Sequence, residues 1–78
     1  MSRLPALKAR EVVRALEKAG YEVDRVTGSH YILRHPGKPG RRVTVPYHGN
    51  RDIKRAVLRS IIREAGLSVE EFLRLLRE

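Results

Sequence analysis

Cysteine is absent from this 78-residue chain, which removes any disulfide framework and any thiolate zinc site. No stretch approaches the roughly 20 apolar residues that span a membrane. The N-terminal MSRLPALKAR has no apolar core of the kind a secretory signal needs, so a cytoplasmic location is expected. The three histidines stand in dissimilar settings without HxxxH or HxH spacing, which does not suit a metal site, and no metal or other cofactor is expected. A glycine-rich phosphate loop, a paired-carboxylate site and a nucleophilic triad are also missing, as are repeats and low-complexity segments. The size suits one domain over residues 1–78, near the limit at which a single core offsets the entropy of ordering the chain.

Acidic residues are scarce as well. Seventeen Lys and Arg stand against nine Asp and Glu, a net charge of +8. The excess is concentrated. Between Gly28 and Arg63 nine basic residues face a single acid, Asp52. Such clustering suits a polyanion, because each neutralised phosphate releases condensed counterions. The plain alternative is an arginine-rich composition whose charges are simply solvated.

Periodicity gives the elements. Val12, Val13, Leu16 and Ala19 share one face of a helix over residues 8–19, with Arg10, Arg14, Glu17 and Lys18 pointing away, and Gly20 closes it as a left-handed cap. YEVDRVT (21–27) is rich in β-formers, but Val23 and Val26 differ in parity, which predicts a bulge near Asp24 and Arg25. Gly28 and Ser29 reverse the chain, Gly28 being free to take positive φ. HYILRH (30–35) is the second strand, with Tyr31 and Leu33 on one face and His30, Ile32 and Arg34 on the other. PGKPG is a loop, and RVTVP (42–46) the third strand, with Val43 and Val45 inward and Pro46 ending the ladder.

A second helix is expected to start between residues 50 and 54, capped by Asn50 or Asp52. Its buried stripe would be Ile53, Val57, Ile61 and Ala65 with Leu58 and Ile62, and Gly66 would stop it. SVEE (68–71) is a capping box that opens a third helix, with Leu67 stapling to Phe72. The order is α-β-β-β-α-α: an α+β fold with one face of a three-stranded antiparallel sheet covered by helices. The other face, carrying His30, stays open.

A histidine at the head of a strand has two bland readings, a cap for the turn or an ordinary exposed polar residue. The sharper reading is general acid–base chemistry. An imidazole can take the proton of a ribose 2′-hydroxyl, which then attacks the adjacent phosphodiester, while arginines hold the phosphate. That reaction needs no metal, and it needs a ribose. His35, before the proline-rich loop, reads as a turn residue. His48 lies in a loop near a helix start, where it could bind phosphate or serve as a second acid. The run RSIIR (59–63) reads as an amphipathic helix with a basic outer face, and strands in mid-chain disfavour a helix-turn-helix.

GSHYILRHPGKPGRRVTVPYHG followed by LRSIIREAGLSVEEFL resembles the HicA-type toxins of bacterial toxin–antitoxin systems. The resemblance runs from KAGYEV nearly to the C-terminus. It implies a fold like that of double-stranded-RNA-binding domains, ribonucleolytic cleavage of mRNA that inhibits translation, and His30 as the catalytic residue. It also implies a HicB-type antitoxin that covers the site. Where such toxins often open the helix after the third strand with Gly-Thr, this chain has Lys54-Arg55-Ala56-Val57, a difference bearing on helix length and RNA contacts. Lys8, Ser29, Arg34, Lys38, Arg42 and His48 are the candidates for holding RNA. A non-catalytic RNA-binding module of the same fold, recognising duplex shape, is the competing reading. A DNA-binding partner of a repressor complex is a third.

Overall fold

The computed structural model describes residues 3–78, so Met1 and Ser2 of the expected 1–78 domain lie outside the described residues. The helical spacing of Val12, Val13 and Leu16 is realised in α1, Ala9–Lys18, whose Ala9, Val12, Val13, Ala15 and Leu16 are buried. Its first turn is tied by the Glu11 carboxylate, which accepts from the Lys8 backbone N–H at 2.9 Å. Gly20 follows at φ 102°, and a Cβ there would fall 2.7 Å from His35 Nε2, so both conformation and space require glycine.

Three antiparallel strands come next, in the order β1-β2-β3: β1 Glu22–Val26, β2 His30–Arg34 and β3 Arg42–Pro46. The parity break between Val23 and Val26 is a bulge. Val23 pairs with Leu33 and Arg25 with Ile32, leaving Asp24 as the extra residue. On one face Leu33, Val43 and Val45 are fully buried, while Arg34, Arg42 and Thr44 on the other are exposed. α1 and α2, Arg55–Glu64, lie against β3 on the buried side, and α3, Val69–Arg77, packs on α1. Phe72 of α3 is fully buried, and the Tyr21 hydroxyl donates to the Ala65 carbonyl at 2.9 Å within the core.

Three local expectations are corrected. The second helix starts at Arg55 after Lys54, which makes no side-chain cap, so neither Asn50 nor Asp52 caps it. Tertiary pairing claims that segment instead: the Ile53 N–H donates to the Leu7 carbonyl at 2.7 Å, and Lys8 forms a bridge and an ion pair with Asp52. Ile53 is therefore buried from outside the helix. Val57 is 37% exposed, because the rotation of α2 is set by Leu58, Ile61, Ile62 and Ala65. Finally, Gly28 does not take positive φ; the left-handed glycines among the described residues are Gly20, Gly40, Gly49 and Gly66.

Ser68 caps α3 as expected. Its hydroxyl accepts from the Glu71 N–H at 3.0 Å, and the Glu71 carboxylate accepts from the Ser68 N–H at 2.8 Å. Leu4 and Leu7, in the irregular lead-in, are buried members of the core that helical periodicity could not reveal.

Candidate active site

The β1–β2 turn is closed by Thr27. Its N–H donates to the His30 carbonyl at 2.8 Å, and its hydroxyl accepts from the His30 N–H at 3.1 Å. A side chain thus does the work that a left-handed turn residue would otherwise do, which is why Gly28 can stay at negative φ. The backbone of His30 is fixed from both sides, since it also pairs with Pro46 on β3.

His30 is half-buried at the head of β2, on the sheet face that no helix covers. The Ser29 hydroxyl lies 3.0 Å from its Nδ1. A hydroxyl can accept from Nδ1–H, and in that arrangement Nε2 is not engaged by Ser29. The turn is also tied to the loop after β3, because the Tyr47 N–H donates to the Ser29 carbonyl at 2.7 Å. Gly28 and Ser29 themselves make no backbone N–H hydrogen bond among the described residues, and a Cβ built on Gly28 would meet nothing within 4 Å.

The other sequence-derived candidates are not all brought to this point. His48 is exposed in the loop after Pro46, in a cleft with Arg51, Lys54 and Val57 at the same end of the sheet as His30. Arg34 lies four residues along β2, ~13 Å away by strand rise. There it approaches Glu22 at 3.6 Å and Asp24 at 3.9 Å, while Arg42 binds Asp24 at 3.1 Å. The bulge that exposes Asp24 thus places an acid between two arginines, a pairing across strands that sequence spacing could not show. Lys8 is bound to Asp52 at 3.3 Å. Lys38 is exposed in the loop before β3, beside Arg41, Arg42 and Arg63.

His35 is not a surface turn residue alone. Its Nδ1 accepts from the Gly37 N–H at 3.0 Å, its Nε2 lies 3.3 Å from the Ala19 carbonyl, and its ring stands edge-on to Tyr21. A backbone N–H can only donate, so Nδ1 is the acceptor and Nε2 carries the proton. Both nitrogens are engaged in joining the end of α1 to the loop after β2. The role is structural, as expected from its place before the loop.

With that geometry in view, comparison with protein families finds a match over residues 9–67 to the family described as HicA toxin of bacterial toxin–antitoxin. The chain belongs to the HicA toxin family. The matched span of the HicA fold takes in α1, the whole sheet and α2, and therefore both His30 and the loop carrying His48. It ends just before the Ser68 capping box that opens α3, whose Phe72 is buried in the core. No curated protein matches the chain. No helix among the described residues is long and apolar enough to cross a membrane.

Proposed function

We propose that this HicA-family protein is a cytoplasmic endoribonuclease that cleaves mRNA without a metal ion, using His30 as its proton-transfer group. The observation that carries the reading is the Ser29–His30 pair at 3.0 Å on the uncovered sheet face. With Nδ1–H donating to Ser29 Oγ, the Nε2 lone pair takes the proton of a ribose 2′-hydroxyl. The 2′-oxygen attacks phosphorus, the bond to the 5′-oxygen breaks, and solvent at the open face supplies that leaving oxygen with a proton. The products are a 2′,3′-cyclic phosphate and a 5′-hydroxyl. Of the other candidate RNA contacts, Ser29 and His48 are the best placed for the scissile phosphate. Arg34, Arg42 and Lys8 would each have to exchange a carboxylate partner for RNA.

A HicB-type antitoxin is the proposed partner, neutralising the toxin by covering the open face and His30. Its contact can be mapped by protection of the 27–30 turn from hydrogen exchange. The enzyme reading itself is tested by incubating purified protein with RNA in EDTA. Shortened RNA ending in 2′,3′-cyclic phosphate is expected; intact RNA that remains bound would identify a non-catalytic RNA-binding module instead.

A further inference from the structure

The basic residues that the site leaves unused are concentrated on α2. Arg55, Arg59 and Arg63 recur every fourth residue, so they follow one ridge along the helix, rising about 6 Å from each to the next. All three are exposed. Like charges at this spacing repel and disfavour the helix. No carboxylate offsets that repulsion among the described residues: the first turn of α2 has no acid, and none of the three makes an ion pair. Among the described residues, the one side-chain bond made by these arginines is from Arg63 to the Ser60 hydroxyl, at 3.4 Å. By contrast Lys8, Arg34 and Arg42 are each matched to a carboxylate.

The ridge does not end at the helix. Arg63 shares a shallow depression with Lys38, Arg41 and Arg42, four basic residues against the one acid Glu64, beside the free edge of β3. Arg42 in turn stands on the open sheet face, two places along β3 from Thr44 and four from Pro46, the partner of His30. A predominantly basic track therefore leads from Arg42 on the face of the candidate active site, around the β3 edge, onto the outer surface of α2.

We propose that this track is an exosite for the backbone of single-stranded RNA. The strand flanking the cleavage point leaves the open face past Arg42 and continues over Arg63, Arg59 and Arg55. The inference rests on the ribonuclease reading, and it adds to it that substrate length governs productive binding. Phosphates along an extended strand neutralise the ridge, so the repulsion present in the free protein is relieved in the complex. Base identity is not read there, because guanidinium groups on a convex helix surface engage phosphate and leave the bases unconstrained.

The test is the variant Arg55→Gln/Arg59→Gln/Arg63→Gln. All three positions are exposed, so a folded protein is expected, with circular dichroism and melting as checks. In a His30→Ala background, binding of a long single strand should weaken roughly tenfold, and the log–log salt slope should fall by about 2 for three lost phosphate contacts. In the active background, cleavage of the long strand should lose kcat/KM through KM, while cleavage of a dinucleoside phosphate, too short to reach α2, should not change. Unaltered long-strand affinity and salt slope would overturn the exosite. Unaltered RNA binding together with lost antitoxin protection would overturn it too, and would reassign the ridge to a protein partner. Should the parent protein cleave neither substrate, the ribonuclease reading fails, and the binding arm still decides the track.

Discussion

The Ser29 hydroxyl and His30 Nδ1 stand 3.0 Å apart, joined by adjacent residues of one turn. The contact engages the imidazole at one nitrogen and, on the proposed mechanism, leaves the other for the substrate. Ser29→Ala should therefore lower kcat by roughly tenfold to a hundredfold through loss of ring orientation. Ser29→Thr keeps the hydroxyl and should restore most of the rate. Equal rates for wild type and Ser29→Ala would remove serine from the site.

Replacing His30 itself separates chemistry from folding. The side chain is half-buried on the uncovered face and supports no core residue, so His30→Ala should change stability by no more than about 0.5 kcal/mol. Loss of a general base costs about 10²–10⁴ in rate. The variant should fold, bind RNA and fail to arrest growth when expressed without antitoxin. Wild-type cleavage by a folded His30→Ala protein would end the proposal for this residue.

Gly28 provides a sharper contrast. Its φ is not positive and a Cβ would meet nothing, so Gly28→Ala should leave melting unchanged or raise stability by about 0.4–1 kcal/mol. On the proposed mechanism the methyl group would nevertheless stand beside the scissile phosphate, next to the Gly28 and Ser29 amides, which make no hydrogen bond among the described residues. Slower cleavage by a protein at least as stable is the expected pairing. Undiminished cleavage would show that substrate does not approach this close to the turn.

His35→Ala should behave in the opposite way. It removes hydrogen-bond partners from the Gly37 N–H and the Ala19 carbonyl, together with a ring packed on Tyr21. A loss of about 1–3 kcal/mol is expected, measured by denaturant unfolding. Activity per folded molecule should be retained. A stable but inactive His35→Ala protein would place catalytic function at the wrong histidine.

Much of this architecture was legible because local signals and tertiary packing agree. The parity break of Val23 and Val26 forecast the bulge, and SVEE forecast the α3 cap. Where the two disagree, reading failed. Asn50 and Asp52 are competent caps in isolation, but the pairing of Leu7 and Lys8 with residues 52 and 53 holds that segment extended until Lys54. At the site, the position and face of His30 followed from alternation alone. That Asp24 would occupy Arg34 and Arg42 did not, because it depends on a cross-strand register and a bulge acting together.

The capping box makes a pH prediction. The Glu71 carboxyl is held below the ordinary glutamate range, chiefly by the Ser68 backbone N–H and next by the Ser68 hydroxyl. A lowered folded-state pKa contributes stability that is fully present above the unfolded value, about 4.3, and is lost as pH falls through the folded value. Glu71→Gln should therefore flatten the decline of Tm in this acid range. Ser68→Ala should cost about 1 kcal/mol at neutral pH, lowering Tm by about 4–8 °C. Identical acid limbs for Glu71→Gln and wild type would contradict the carboxylate's role in the cap.

A three-stranded sheet ends in two unpaired edges, and such edges recruit other chains. Here each is defended by the residues already described. β1 bears Glu22, Asp24 and Arg25 and is bent by its bulge, while β3 is flanked by Arg41 and Arg42 and ends in Pro46, which has no N–H to offer. The face that carries His30 thus stays accessible without inviting strand exchange. On the proposed function, a chain released from its inhibitor would then remain dispersed where it is to meet RNA, and self-association would not become a second, unregulated form of neutralisation.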